Sequence, residues 1–492
     1  MKKTQVWGLI LGPLLFVVFQ FLFQFEGLST AGQTTLAATI WIALWWITEA
    51  IPIAATALLP IVLFPLFGSL DLATTTAAFG HKYVFLYMGG FIIAIALEKW
   101  NLHKRIALQI IHFMGTDLKR ILLGFMIATA FLSMWISNTA TSVMMLPIGM
   151  AIINQMKDNP KTPEDENRVF GKALMLAIAY SASIGGIATL IGTPPNLVLA
   201  GVLQSTYGYE ISFLQWMLFG FPVSILLLFI CWVYLTQFAF QFKSSAFIEG
   251  RTEVKRMQTE LGSVSFEEKI VGIVFGLTAF CWITRSFLLQ SILPNLDDTI
   301  IAIFFSLTLF LLPAKNKEPI LRWKEAVQLP WGIILLFGGG MALAKAFETT
   351  GLASWLGVQM TAFEGWPFFV ALILLIGAVN FLTEITSNLA TTAMLLPVLA
   401  PLALEIGVHP FGLMVGAAVA ASCAFMLPVA TPPNAVVFGA GYLRIPDMVS
   451  RGLALNLISI CIIAIAVYLL LPLLWEIDLQ QFPDQFRGAS KN

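Results

Sequence analysis

SNTATSVMMLP at residues 137–147 and SNLATTAMLLP at residues 387–397 are one phrase written twice, 250 positions apart. The same shift lays LYMGGFIIAIALE at 86–98 over LFGGGMALAKAFE at 336–348, so that Gly89, Gly90, Ala94, Ala96 and Glu98 meet Gly339, Gly340, Ala344, Ala346 and Glu348. At a shift of 238, Thr193-Pro194-Pro195-Asn196 falls on Thr431-Pro432-Pro433-Asn434, and Gly201 falls on Gly439. One such block would be explained by small residues at close helix contacts. Three blocks in one order mark an internal repeat.

The repeat lies in a membrane protein. Of 492 residues, 58% are apolar and 11% charged, against roughly 45–50% and about 25% in soluble domains. A soluble enzyme and a disordered scaffold are excluded, and a net charge of zero without a basic stretch excludes a nucleic-acid binder. Cys231, Cys281, Cys423 and Cys461 are far apart in apolar runs and read as packing thiols. The four histidines form no metal-binding pair, so a catalytic zinc is not expected. The apolar run from Val6 to Phe25 ends without a small-residue cleavage site and reads as a first transmembrane helix with a cytoplasmic start.

A bilayer core of about 30 Å takes about 20 helical residues. On that ruler eleven spans fall near 6–25, 32–48, 52–67, 83–99, 172–204, 211–240, 268–290, 298–313, 330–347, 411–442 and 450–475. The stretches 121–153 and 367–403 fit differently. Lys99, Lys104, Arg105, Lys119 and Arg120 precede the first, and Lys157, Lys161, Arg168 and Lys172 follow it. Basic flanks on both ends place both ends in the cytoplasm, so the stretch enters and returns as a re-entrant hairpin with Ser-Asn-Thr at its tip. The second lies in a region without lysine or arginine from Ala346 to Leu443, which predicts a hairpin entering from outside. The expected fold is therefore all-α and polytopic, with two inverted halves. The polar segment 242–268 reads as the loop or short surface helix between them.

Irregular backbone survives inside lipid only where protein or a water-filled cavity satisfies it. Two kinds of break recur: Ser-Asn at a hairpin tip and Thr-Pro-Pro-Asn within a span. Tandem prolines stop a helix and hold the preceding residues extended, with carbonyls free to face a cation. Ser and Asn add neutral oxygens and an amide donor, and half-helices starting there aim positive dipole ends inward. Hydrogen-bond glue and proline kinks would explain one motif; two kinds, each duplicated in opposite orientation, point to a binding site near the midplane.

The hairpin tips and both unwound loops hold no basic residue, and from Ile121 to Met156 and from Ala173 to Tyr209 there is no charge of either sign. Hard neutral oxygens suit Na⁺. Hydroxyls and dipole ends suit a carboxylate or sulfate, whose charge co-bound cations would balance. Carrying a dianion into a negative-inside cell costs about 5 kcal/mol at 100 mV, which two sodium ions cancel and a third overcomes.

SNTATSVMMLPI at 137–148, TSNLATTAMLLP at 386–397, IGTPPN at 191–196, ATPPNAVVFG at 430–439 and WWITEAIPIAATALLP at 45–60 resemble the divalent anion/sodium symporters, carriers of dicarboxylates, citrate or sulfate. The likeness covers about 35–445. It implies eleven spanning helices, two re-entrant hairpins, a homodimer and an elevator-type motion. It implies one sodium site from Ser133, Ser137, Asn138 and Gly192 and a second from Thr383, Thr386, Asn388 and Ala430. Substrate carboxylates would meet Asn138, Thr139, Thr193, Asn388, Thr431 and Pro432. Leu389 departs from the pattern, standing where many members carry threonine, and removes a hydroxyl from the substrate site.

The resulting expectation is a sodium-coupled carrier of C4-dicarboxylates in a bacterial inner membrane, N-terminus cytoplasmic and C-terminus external. A citrate or sulfate carrier and a sodium-independent exchanger are the alternatives. The expected moving body comprises 118–240 (hairpin 118–153, broken helix 172–204) and 366–445 (hairpin 367–403, broken helix 411–442). Scaffold helices fill 1–117 and, after the cytoplasmic loop, 241–365, while 446–492 forms the last helix and tail. Glu49 reads as a cap, and Glu98 and Glu348 as solvated helix ends. Glu384, three residues before Ser387, is the candidate for proton or cation coupling.

Overall fold

The computed structural model describes residues 3–115, 117–155, 166–240, 242, 248–359 and 367–487. The described residues are helical apart from their turns and one isolated bridge, Pro313 with Pro319. The basic flank at Lys157 and Lys161 lies outside them.

The N-terminal part runs through α1 (Lys3–Val17), α2 (Thr30–Thr48), α3 (Leu59–Phe67), α4 (Lys82–Lys99) and α5 (Leu102–Phe113). Then follow α6 (Leu118–Ser133), α7 (Asn138–Gln155), α8 (Glu166–Gly186), α9 (Pro194–Tyr207) and α10 (Phe213–Val233). The second half contains α11 (Ile248–Glu260), α12 (Phe266–Thr284), α13 (Asp298–Leu311), α14 (Trp331–Thr349) and α15 (Leu352–Gln359). It closes with α16 (Phe368–Thr383), α17 (Asn388–Glu405), α18 (Pro410–Ala421), α19 (Pro432–Gly439) and α20 (Ile445–Trp475). Among the described residues, seven helices are long and apolar enough to cross a membrane unaided; several of the rest are half-helices.

Caps set many of the starts. Asp117 accepts from the amides of Lys119 and Arg120, Ser212 from Gln215, and Ser265 with Glu268 closes a reciprocal capping box. Two sequence expectations need correction. The span expected at 52–67 is divided into Ile53–Thr56 and α3; a Cβ on Gly339 would lie 2.5 Å from the Ala57 carbonyl, so α14 presses on the turn between them. The helix expected to reach 290 ends at Thr284.

Both expected hairpins are present. Each turns at four residues, Met134–Ser137 and Glu384–Ser387, and the second half begins at the asparagine, so Asn138 and Asn388 lie at helix N-termini. Helix α20, of 31 residues, is about 46 Å long and gauges their direction. Its beginning lies beside the first hairpin's open end: Lys172 bonds Asp447 at 2.9 Å, Arg451 covers Phe240, and Trp232 Nε1 donates to Lys119 O at 2.9 Å. Its far end meets the second hairpin's open end, where Tyr468 stacks on Phe368 and His409 N donates to Leu479 O. The hairpins enter from opposite faces.

Candidate functional site

The two hairpin tips make similar bonds. Ser133 Oγ lies 2.5 Å from Asn138 Oδ1 and 2.7 Å from Ala182 O. Thr383 Oγ1 lies 2.8 Å from Asn388 Oδ1 and 3.0 Å from Ala421 O. Each hydroxyl has one proton, which it donates to the asparagine Oδ1 or to the helix carbonyl, both of them acceptors. Ser142 Oγ and Thr392 Oγ1 bond the Asn138 and Asn388 carbonyls one turn on. Both asparagines are thus fixed from two sides.

Between the tips and the breaks lies one cavity of about 930 Å³. Ser137, Asn138, Thr139, Gly192 and Thr193 line it from one repeat; Thr386, Asn388, Leu389, Ala430, Thr431 and Pro432 line it from the other. Ser387, which sequence reasoning did not assign, lines it too. Ser133 and Thr383 are fully buried behind the asparagines. Every expected site residue therefore belongs to the cavity wall or stands directly behind it. The opposite wall carries Ile53, Tyr87, Pro330 and Leu336, and the mouth carries Thr4, Gln5, Thr48 and Glu49. Glu49, whose left-handed backbone (φ 48°) ends α2, is the one charged side chain among the described residues of this lining.

Close contacts shape the first break. A Cβ on Gly192 would lie 2.5 Å from Gly186 O, and a Cβ on Gly186 would lie 2.7 Å from Asn138 Oδ1. Glycine at both positions lets the unwound strand touch the hairpin tip. The second break is shaped by a carboxylate. Glu384 accepts from the amides of Phe425 (2.7 Å), Met426 (2.9 Å) and Leu427 (3.0 Å) and from Asn456 Nδ2 (2.7 Å). Four N–H donors on one buried carboxyl group make it an anchor for the unwound backbone. Glu384, the candidate for proton or cation coupling, is engaged in these four bonds in this structure. Glu384→Gln turns an amide group toward those donors and is expected to lower stability by about 2 kcal/mol. A melting curve checks this; an unchanged midpoint would remove the anchoring role. Glu98, expected at a solvated end, is half-buried, while Glu348 pairs with Lys345.

The far side of the site is shut. A Cβ on Gly340 of α14 would lie 2.9 Å from the Ala393 Cβ of α17, and one on Gly201 of α9 would lie 2.7 Å from the Met341 sulfur. Beyond this seam Glu210 binds Lys82 (2.8 Å) and Arg285 (3.1 Å), with Asp297 and Asp298 alongside. The near side is open: a Cβ on Gly439, the repeat counterpart of Gly201, would meet nothing within 4 Å among the described residues.

Comparison with known proteins agrees with this construction. The sequence profile of a family described as "sodium:sulfate symporter transmembrane region" matches residues 3–476. The "sodium-dependent dicarboxylate transporter SdcS" of Staphylococcus saprophyticus is 51% identical over 485 residues, covering 97% of this chain and 93% of that protein. The same-named protein of Staphylococcus aureus strain USA300 is 49% identical over 484 residues, with the same coverage. Among solved structures, Neisseria gonorrhoeae MtrF, from a study of antimetabolite efflux pumps, superposes with a TM-score of 0.56 at 14% identity, covering 95% of this chain and 94% of that one. The Alcanivorax borkumensis YdaH transporter does so at 0.56 and 13%, covering 90% and 99%. These two show likeness of fold alone. By the match along 3–476 and relatives at 49–51% identity, the chain belongs to the family of the sodium:sulfate symporter transmembrane region.

Proposed function

We propose that the protein is a secondary active carrier that couples Na⁺ to the uptake of C4-dicarboxylates such as succinate, malate and fumarate. The observation that carries the reading is the meeting of two oppositely inserted, uncharged, oxygen-rich breaks in one cavity. The family relatives named as sodium-dependent dicarboxylate transporters support it. In this reading Ser133, Ser137, Asn138 and the Gly192 carbonyl hold one sodium. Thr383, Thr386, Asn388 and the Ala430 carbonyl hold the other. The substrate lies between the tips, its carboxylates on Asn138, Thr139, Thr193, Asn388, Thr431 and Pro432, and Leu389 forms an apolar wall beside its methylene carbons. With no lysine or arginine among the described residues of the lining, the bound cations are what balance the dianion.

The basic residues Lys99, Lys104, Arg105, Arg444 and Arg451 assign the open face to the cytoplasm, which makes the N-terminus cytoplasmic and the C-terminus external in a bacterial inner membrane. We further propose a homodimer in which α6–α10 and α16–α19 move as one body against the other helices. Reconstitution into liposomes tests the reading. Labelled succinate uptake is expected with an inward sodium gradient and is expected to vanish when choline replaces sodium. Unlabelled malate and fumarate should compete. Uptake equal in choline, or competition by sulfate in place of the C4 acids, would overturn it.

A further inference from the structure

The fourth residue of each Thr-Pro-Pro-Asn motif has no part in the cation and substrate contacts assigned above. Asn196 and Asn434 are fully buried and do not line the cavity. Asn196 Nδ2 donates to the carbonyls of Thr189 (2.8 Å) and Gly186 (3.2 Å), with Ile187 O at 3.4 Å. Asn434 Nδ2 donates to those of Leu427 (3.0 Å) and Ala424 (3.2 Å). At the repeat shift of 238 these are the same two carbonyls, 186 with 424 and 189 with 427.

The amide group bonds back from the first turn of one half-helix to carbonyls at or just beyond the end of the other. In both copies Oδ1 has no donor among the described residues. What the amide holds is the loop that carries Gly192 or Ala430. In the first repeat the held residue is Gly186, which abuts both Asn138 Oδ1 and the Gly192 carbonyl.

We propose that Asn196 and Asn434 are positioning residues for the two cation sites, one for each, setting the distance between the unwound carbonyls and the hairpin-tip asparagine. The inference rests on the sodium assignment above and adds to it a residue per site.

The test is sodium binding read without transport: the rise in melting temperature of the full-length detergent-solubilised protein as NaCl replaces choline chloride, with no dicarboxylate present. Asn196→Ala and Asn434→Ala are each expected to raise the half-saturating sodium concentration about tenfold. Half-saturation by succinate in uptake assays at saturating sodium should shift less than about threefold. Asn196→Asp and Asn434→Asp, which keep the shape and lose the donor, should behave like the alanine variants and serve if those fail to fold. A lower melting temperature in choline with an unchanged sodium midpoint would reduce both residues to structural ones and overturn the proposal. If the wild-type protein shows no sodium-specific rise, the sodium assignment itself falls and takes this inference with it; a wild-type rise that the variants retain defeats only the inference.

Discussion

Alanine at Asn138 or at Asn388 is expected to cut sodium-driven uptake at least about a hundredfold while leaving a folded protein. Each side chain stands at a helix N-terminus on the cavity wall and is held by a buried hydroxyl, Ser133 or Thr383. In the proposed assignment its removal deletes a cation ligand and a substrate contact together, and it leaves the hydroxyl without its partner. About 3 kcal/mol is a moderate sum for those losses, and each 1.4 kcal/mol is tenfold. The two substitutions should both be severe, because Asn138 and Asn388 are held by corresponding hydroxyls at corresponding helix starts. Uptake in liposomes, with gel filtration to verify folding, checks this. A variant that kept wild-type sodium-dependent uptake would detach the asparagines from the site.

The second large effect comes from the seam. A Cβ on Gly340 would lie 2.9 Å from the Ala393 Cβ on the shut side, and a Cβ on Gly90 would lie 3.4 Å from the Ile191 Cδ1. The repeat maps these contacts onto Gly90 with Val143 and Gly340 with Val429. Neither mapped pair is in contact in this state: Val143 is 52% exposed and Val429 75% exposed. If the moving body exchanges one seam for the other, both pairs form when the carrier faces outward. Cysteines at Gly90 and Val143 should then cross-link under mild oxidation in a background lacking the four native cysteines. Uptake should stop entirely and return with reductant. Cross-linking should need turnover conditions. An oxidised pair that leaves uptake intact, or that never forms while the carrier turns over, would dismiss the two-seam motion.

Much of this was legible in the sequence because a membrane punishes irregular backbone. Ser-Asn and Thr-Pro-Pro-Asn could only stand where a chain breaks, and their duplication placed the breaks on opposite sides. The charge flanks predicted that the two hairpins enter from opposite faces. What stayed illegible depends on partners distant in the chain. Glu384 reads as a lone acid in an apolar run, because the three amides that satisfy it lie about forty residues later. Asn196 and Asn434 were visible as letters of a motif, but nothing local says that their amides bridge the break. The turn that divides Ile53–Thr56 from α3 shows no strong signal either, since Gly339 of another helix forms the contact there.

Glu384 has a consequence for voltage. Its carboxylate belongs to the body proposed to move, and no basic side chain among the described residues lines the site beside it. If that carboxylate is ionised once sodium and substrate have left, the body keeps one negative charge. Its journey back to the external face therefore carries an anion outward, the direction that a negative-inside potential favours by up to about 2.3 kcal/mol per 100 mV, scaled by the fraction of the field crossed. The resting potential then drives the reset of the empty protein as well as the entry of the loaded one, and a depolarised cell would recycle its carriers more slowly.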